Sequence, residues 1–218
     1  MTASDVQHAV SGYWTGRAPK FDGVASHVAQ SMIWREVLAA AFEAERPLDV
    51  IDLGTGTGAC ALIAASLGHR VRGYDGAEGM LAVARAAAAA QGYDVSFIVS
   101  TLQEAEIETG SADIVTLRNV LWTLEQPMAA LRKAHAILRP GGRVVVSDGL
   151  WSVAPQYRST YPADVAARLP LHDGLTEERA REMLSEAGFA PAQAWQHLFA
   201  VSPYPGDVPM FVLSASKP

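Results

Sequence analysis

The chain has 218 residues, of which 50% are hydrophobic and 18% are charged, with a formal net charge of −6 at pH 7. This length fills one hydrophobic core and is short for two enzyme domains, so we expect a single domain over residues 1–218. The acidic balance, without any basic run, argues against a nucleic-acid partner, because such proteins usually bind the phosphate backbone through basic patches.

The cysteine and histidine content further narrows the kinds of protein that the chain can be. Cys60 is the single cysteine, which excludes a disulfide framework and a cysteine-based metal cluster and fits a cytoplasmic protein. The six histidines show no metal-ligand spacing, so we expect no metal site. No leader with a basic start and an apolar centre opens the chain, and no apolar run reaches the roughly 20 residues that cross a bilayer, so we expect neither secretion nor a membrane partner.

Hydrophobic periodicity predicts the elements in chain order. Five residues fall on one face of a helix, at Trp34, Val37, Leu38, Ala41 and Phe42. This helix belongs to a predicted N-terminal helical cover, residues 1–46. Strands are then predicted at 49–53, 70–74, 95–99, 113–117 and 143–147, with helices at 59–67, 77–91 and 127–138. Such alternation is typical of a parallel sheet covered on both faces, here a core at 47–149.

The pattern changes after this core. Residues 150–175 are irregular and rich in Trp, Tyr, His and Pro. Residues 176–218 contain a predicted helix at 176–187 and two strand-like runs at 193–201 and 210–215, joined by a loop that contains proline and glycine. We therefore expect the chain to end in an antiparallel hairpin.

Three glycines at alternate positions follow the first predicted strand. Gly54, Gly56 and Gly58 let the backbone approach a ligand closely, and the helix that begins there presents free N–H groups. Asp75 ends the second strand, where a carboxylate can accept both hydroxyls of a ribose. A dinucleotide site stays open, because Gly54, Gly56 and Ala59 also satisfy the pattern G-x-G-x-x-A. Tight-turn glycines without any ligand are the third alternative.

Five segments in order resemble the motifs of class I S-adenosylmethionine (SAM) dependent methyltransferases. They are YWTGRA at 13–18, DLGTGTG at 52–58, YD at 74–75 followed by GML at 79–81, RNVLWTL at 118–124 and LRPGG at 138–142. The likeness covers about residues 13–149 and is strongest to the group of ubiquinone, menaquinone and natural-product tailoring methyltransferases. It implies an α/β fold: a Rossmann-like, doubly wound, mostly parallel seven-stranded sheet with an antiparallel C-terminal hairpin and N-terminal helices.

Carried over position by position, the resemblance implies a SAM site. Gly54, Gly56 and Gly58 would line the methionine and ribose part, Asp75 would receive the ribose hydroxyls and Met80 would pack on the adenine. The other implied cofactor contacts are Tyr13, Asp52, Thr55, Gly76, Thr101, Leu102, Gln103 and Arg118. Thr101 departs from the family, which normally has an Asp there for the adenine amine, so one charge-assisted hydrogen bond is missing.

The sulfonium of SAM is a cation with no hydrogen to donate, so aromatic faces suit it. Candidates are Tyr13, Trp14, Phe21 and Trp122. Residues 150–175 are expected to cover the acceptor. Flat side chains that suit an aromatic or heteroaromatic small molecule are Trp122, Trp151, Tyr157 and Tyr161. His172 is the candidate general base because imidazole titrates near neutrality. An exposed loop histidine is the alternative.

Other functions stay open beside small-molecule methyl transfer. An NAD(P)-dependent oxidoreductase usually needs Tyr with Lys four residues later, whereas Tyr157 and Tyr161 are followed there by Tyr161 and Val165. A non-catalytic SAM-binding protein is a second alternative, favoured by Thr101. Nucleic-acid methylation is disfavoured, because residues 118–121 lack the Asp/Asn-Pro-Pro-aromatic run of base-amine methyltransferases. Protein methylation, a homodimer and the accepting atom (N, O, S or C) stay open.

Overall fold

The central element is one seven-stranded sheet, in a computed structural model that describes residues 2–21, 31–153, 161–204, 206 and 208–218. Its strands are β1 (Asp49–Leu53), β2 (Arg70–Asp75), β3 (Val95–Val99), β4 (Ala112–Arg118), β5 (Leu138–Gly149), β6 (Gln193–Ala194) and β7 (Met210–Ser216). They are ordered β3-β2-β1-β4-β5-β7-β6. Strands β1 to β5 are parallel, and β7 runs antiparallel to both neighbours. The predicted fold class is confirmed.

Helices cover both faces of this sheet. They are α1 (Ala3–Phe21), α2 (Ser31–Phe42), α3 (Ala59–Ser66), α4 (Glu78–Gln91), α5 (Pro127–Ile137), α6 (Ala163–Ala166) and α7 (Glu177–Glu186). One face packs against α2 and α3, and the other against α5 and α7. Because successive strand residues point to opposite faces, Val50 joins the first core, while Ile51 and Leu53 join the second.

The predicted strand at 193–201 is wrong beyond Ala194. Residues Gln196–Leu198 form a 3₁₀ turn instead. The Trp195 indole donates a hydrogen bond to Ser214 Oγ at 2.8 Å, and the ring of Phe199 packs on Trp34 with 4.9 Å between centroids. These tertiary contacts outweigh the strand propensity of the run.

Helix α1 crosses the edge of the sheet where the parallel strands have their carboxyl ends. A Cβ on Gly79 would lie 2.7 Å from the Thr15 carbonyl oxygen, so α1 and α4 pack closely there. The Trp14 indole donates to the Tyr161 hydroxyl at 2.8 Å, which ties α1 to the segment before α6. None of the described helices is both long and apolar enough to cross a membrane.

The opposite edge, at the amino ends of the strands, carries an ion-pair network. Arg139 bridges Asp49 at 3.0 Å and Asp113 at 3.1 Å. Arg46 pairs with Asp113 at 3.1 Å, and Arg70 pairs with Asp49 at 2.7 Å. The Asp49 amide also donates to Asp113 Oδ2 at 2.9 Å. The network therefore joins β1, β2, β4 and β5 on the side of the sheet away from α1.

Candidate active site

A cavity of about 640 Å³ lies at the carboxyl ends of the parallel strands, beneath α1. Its walls are the glycine loop between β1 and α3, the turn between β2 and α4, the segment after β4 and one face of α1. Ligands of open α/β sheets bind at this edge. The sheet therefore places the glycine loop and the fourth-strand motif against one shared space.

The glycine loop needs glycine at Gly54 and Gly56 for different reasons. Both have positive φ, +71° and +56°, a backbone conformation that costs a side chain energy. A Cβ on Gly54 would lie 2.3 Å from Val120 Cγ2, so this glycine lets the loop pack on the segment after β4. A Cβ on Gly56 would meet no atom within 4 Å, and Gly56 lines the cavity. The loop backbone is thus open to a ligand there.

Asp52 supports the loop from below. It is buried, and its two carboxylate oxygens accept hydrogen bonds from the Thr55 hydroxyl at 2.6 Å and the Thr116 hydroxyl at 2.5 Å. Burial raises the pKa of Asp52, and the two threonine hydroxyls act in the opposite direction. Both carboxylate oxygens of Asp52 are therefore already engaged in hydrogen bonds within the protein.

Asp75 is half-buried at the end of β2 and lines the cavity. Its Oδ2 accepts from the Gly56 amide and its Oδ1 from the Ala77 amide, both at 2.8 Å. Burial raises the pKa of Asp75, and these two amides partly offset it. A carboxylate has about four acceptor positions, so each oxygen of Asp75 keeps room for one more donor.

Thr101 is buried at the position where the resemblance implies an adenine-binding Asp. Its hydroxyl donates to Glu104 Oε2 at 2.9 Å and accepts from the Glu104 amide at 3.3 Å. Glu104 also accepts from Ser4 Oγ on α1 at 3.0 Å. The hydroxyl proton of Thr101 is therefore committed, and one lone pair is left for a ligand amine.

The other half of the cavity is aromatic. Trp122, Trp151 and Tyr204 are buried and Trp14 is half-buried, and all four line it. Between ring centroids, Trp122 is 6.0 Å from Trp14 and 6.3 Å from Trp151, and Trp151 is 5.1 Å from Tyr204. Flat walls at these spacings present faces and edges to a planar molecule.

Asn119 holds this aromatic wall together. It has a left-handed backbone with φ of +54°, which Asn tolerates better than most residues. Its carbonyl accepts from the Trp122 indole at 3.0 Å, and its side-chain amide donates to the Tyr204 hydroxyl at 2.8 Å. Strained backbone of this kind is common at functional sites.

The structure brings most of the predicted site residues to the cavity. The predicted cofactor residues that line it are Asp52, Gly54, Thr55, Gly56, Asp75, Gly76, Met80, Thr101, Leu102 and Arg118. The predicted acceptor residues that line it are Trp122 and Trp151. Those that lie behind or beside the lining are Tyr13, Gly58, Gln103, Tyr161 and His172. Tyr157 falls outside the described residues.

Three of the residues behind the lining form a second aromatic layer. Tyr13 on α1 packs against Tyr161 with 4.6 Å between ring centroids. The ring of half-buried His172 is 5.8 Å from Tyr161 and 6.4 Å from Trp122. His172 therefore packs beside Trp122 without lining the cavity itself.

Sequence reasoning missed several residues of the lining. They are Gln7, Val10, Ser11, Gly16, Arg17, Lys20, Thr57, Ala59, Cys60, Asn119, Val120, Thr123, Leu124 and Tyr204. A signal existed for α1, because Gln7, Ser11, Trp14, Ala18 and Phe21 follow the alternating spacing of four and three residues of one helix face. No local pattern points to Tyr204, which reaches the site through a distant loop.

Comparisons with known proteins agree with this geometry. Residues 51–146 match a methyltransferase domain. A demethylmenaquinone methyltransferase of Paenarthrobacter aurescens is 28% identical over 155 residues, which cover 70% of this chain and 60% of that protein. A ubiquinone biosynthesis O-methyltransferase of Ruegeria pomeroyi is 33% identical over 157 residues, which cover 67% of this chain and 63% of that protein. The match spans less than two thirds of the length of these relatives.

Solved structures show the same fold. The 1,6-didemethyltoxoflavin-N1-methyltransferase of Burkholderia thailandensis superposes with a TM-score of 0.72 and 20% identity, covering 100% of this chain and 91% of that one. At this identity the likeness concerns the fold alone. The ordered motifs, the matched domain and the mostly parallel sheet with its antiparallel end agree, and over residues 51–146 the chain is similar to the class I SAM-dependent methyltransferases.

Proposed function

We propose that this protein transfers a methyl group from SAM to a small molecule with an aromatic or heteroaromatic ring. The observation that carries the proposal is a single cavity with two different halves. One half holds the open glycine loop and Asp75, which suit a nucleoside with a polar tail. The other half holds Trp14, Trp122 and Trp151, which suit a flat apolar acceptor.

The residues present fit SAM. Gly56 leaves its side of the loop open, Asp75 keeps acceptor positions for two ribose hydroxyls, and Met80 offers an apolar surface. Thr101 supplies a single neutral acceptor for the adenine amine. When bound, SAM supplies a methyl group that a nucleophile of the acceptor takes by in-line displacement at carbon.

The chain's own contribution is alignment and exclusion of water. Helix α1 covers the cavity and contributes Trp14 to its lining, an aromatic neighbour that suits a sulfonium. Trp122 and Trp151 are fixed by indole hydrogen bonds to Asn119 and Asp148, so the wall is rigid before an acceptor arrives. Such preorganisation lowers the barrier by fixing the orientation of the reacting groups.

The names of similar proteins support a small-molecule acceptor. The Burkholderia thailandensis enzyme was crystallised with 1,6-didemethyltoxoflavin and S-adenosylhomocysteine (SAH). The relatives from Paenarthrobacter aurescens and Ruegeria pomeroyi are named for demethylmenaquinone and for ubiquinone biosynthesis. We propose that the methyl acceptor of this chain is likewise a small molecule.

Calorimetric titration with SAH, SAM and NADP tests the assignment. We expect SAH and SAM to bind in the micromolar range and NADP to give no heat of binding.

Asp75→Ala should weaken SAH binding by roughly 1.5 to 3 kcal/mol, the range for a lost hydrogen bond to a charged group. The matched control Asp94→Ala removes an exposed carboxylate elsewhere and should change nothing. Binding of NADP without SAH would support the oxidoreductase alternative, and SAH binding without transfer to any acceptor would support the non-catalytic one.

We propose His172 as the general base where the acceptor must lose a proton. Its ring lies behind Trp122, so it acts directly only on an acceptor that reaches past that indole. With an acceptor found by screening, His172→Ala should lower kcat by roughly 10²-fold or more, the lower range for general-base catalysis. A smaller loss confined to KM would show that His172 only shapes the wall. His135→Ala, on α5 and away from the cavity, is the control.

A further inference from the structure

The charges that line the cavity are unequal. Arg17, Lys20 and Arg118 line it, against Asp52 and Asp75. Asp52 already accepts from two threonine hydroxyls, and Asp75 from two backbone amides. Across the residues that the structure describes, none of the three cations forms an ion pair within 4 Å. Among the described residues, the lining therefore carries one more cationic than anionic side chain before any ligand binds.

Arg118 is the cation that lies deepest. It ends β4 and is half-buried, with its guanidinium carbon 4.1 Å above the centre of the Trp34 ring. Its Nε is shielded from solvent and has no hydrogen-bond partner among the described residues. A buried donor left unpaired costs free energy, and Arg presents a planar fork of donors that matches a carboxylate.

The groups around Arg118 do not neutralise it. Burial raises the pKa of the Cys60 thiol to about 12 and also raises the pKa of the Tyr204 hydroxyl, so both are neutral at pH 7. Asp52 is the carboxyl that interacts with Arg118 electrostatically, yet its oxygens are held by Thr55 and Thr116. The Arg118 side chain also hydrogen-bonds to Tyr204 and Cys60, and its Nε–H is left for a further acceptor.

Arg118 lies where the two halves of the cavity meet, because it interacts with Asp52 and Cys60 on the side of the glycine loop and with Tyr204 on the aromatic side. The next residue, Asn119, carries the hydrogen bonds to Trp122 and Tyr204 that build the wall. Arg17 and Lys20 lie instead on α1, exposed at the rim. SAM brings one carboxylate of its own, and these two rim cations are sufficient to receive it.

We propose that the methyl acceptor is an aromatic anion and that Arg118 pairs with its acidic group. This inference rests on the proposed function and names its substrate class. The sulfonium of SAM adds a positive charge to the cavity, so a neutral or cationic acceptor leaves the excess in place, whereas an anion reduces it. Interactions between charges are stronger here than in water because the site is shielded from solvent.

A pair of probes that differ only in charge tests the proposal. Carboxylate and primary carboxamide have nearly the same shape, so 2-naphthoate and 2-naphthamide are titrated by calorimetry into the wild type saturated with SAH. We expect the carboxylate to bind at least about tenfold more tightly, and added salt to reduce that preference. Equal affinities, or no measurable binding of either probe, overturn the proposal.

Variants assign the preference to a residue. Arg118→Met should lower the affinity for 2-naphthoate by about tenfold or more and leave that for 2-naphthamide within about threefold, with the SAH affinity measured alongside. Arg132→Met removes one positive charge from the exposed surface of α5 and should leave all three affinities unchanged. If Arg118→Met does not fold, Arg118→Gln takes its place.

The outcomes separate this inference from the proposed function. Failure of the wild type to bind SAH contradicts the proposed function itself. SAH binding without preference for the carboxylate contradicts only the anionic acceptor. A variant at Arg118 that weakens SAH binding and keeps the carboxylate preference places Arg118 on the cofactor's carboxylate and overturns the proposal.

Discussion

Asp148 is a carboxyl group with no exposed surface, directly behind the aromatic wall. Its Oδ1 accepts from the Gly149 amide at 2.9 Å and from the Trp151 indole at 2.8 Å. Its Oδ2 has no hydrogen-bond partner among the described residues. Burial raises the pKa of Asp148 to about 7, although those donors favour the charged form. One wall of the acceptor site therefore rests on a group that titrates near neutral pH.

Replacing this group should change how stability depends on pH. The folded-state pKa of Asp148 lies above its ordinary value of 3.8, so its contribution is fully present below pH 3.8 and is lost as pH rises through about 7. Asp148→Asn keeps the Oδ1 acceptor and does not titrate. From pH 5 to pH 8, the free energy of unfolding of the variant should gain roughly 2 to 3 kcal/mol relative to the wild type.

Urea unfolding at the two pH values measures this difference. Asp164→Asn removes an exposed carboxylate at α6 and serves as the control, with a stability difference that should not change with pH. Parallel pH profiles for Asp148→Asn and the wild type would show that Asp148 does not titrate in this range.

Among the elements, α1 is the one that completes the cavity. Its close approach to α4 depends on Gly79, where a Cβ would lie 2.7 Å from the Thr15 carbonyl oxygen. Backbone cannot move aside as a flexible side chain does, so a methyl group at Gly79 must push α1 outward. The position of α1, and with it the ligand site, should therefore respond to this small change outside the glycine loop.

Gly79→Ala should therefore weaken SAH binding by roughly five- to tenfold, within the usual cost of overpacking. Gly12→Ala is the matched control on α1, because a Cβ there meets no atom within 4 Å. That control should stabilise the protein by up to about 1 kcal/mol through helix propensity and leave SAH affinity unchanged. Calorimetry and urea unfolding measure the two effects, and unchanged SAH affinity in Gly79→Ala would show that α1 tolerates the methyl group.

How far the sequence predicted these elements depends on the range of the interactions that form them. The five buried residues of α2 are the five that helical periodicity predicted, because that pattern is local. Local motifs also predicted the glycine loop and Asp75. The strand at 193–201 failed because the contact between Phe199 and Trp34 joins distant parts of the chain.

The same limit applies to the site. The hydrogen bond between Asn119 and Tyr204 spans two segments with no shared sequence signal, and the cover by α1 follows from packing on α4. The roles of His172 and Tyr157, and the division of the chain into cover, core, insert and C-terminal segments, stay predictions.

At the scale of the whole molecule, the two edges of the sheet have separate tasks. The cavity lies at the carboxyl ends, and the ion-pair network around Arg139 lies at the amino ends. The pKa of Asp49 is lowered, chiefly by Arg70 and also by Arg139. Burial acts to raise the pKa of Asp113, but the Asp49 amide, Arg46 and Arg139 outweigh it and the net shift is downward.

Removing Arg139 should therefore affect stability and leave ligand binding alone. Because these folded-state pKa values lie below the ordinary 3.8, the stabilisation is present above that pH and is lost as pH falls through the folded-state values. Arg139→Met should destabilise the protein at pH 7 by about 1 kcal/mol, as expected for half-exposed pairs, and by less at pH 3.

SAH affinity measured by calorimetry should equal that of the wild type. Arg179→Met, which breaks exposed pairs on α7, should cost less than Arg139→Met. A weaker SAH affinity in Arg139→Met would mean that the two edges are coupled.

The placement of tryptophan has a spectroscopic consequence. Of the five tryptophans, Trp14, Trp122 and Trp151 line the cavity, and Trp34 stacks on the guanidinium in its wall. Only Trp195 lies away from it, hydrogen-bonded to β7. The intrinsic fluorescence of the protein is therefore weighted toward the site, so the wavelength and intensity of its emission report ligand entry directly, without any attached dye.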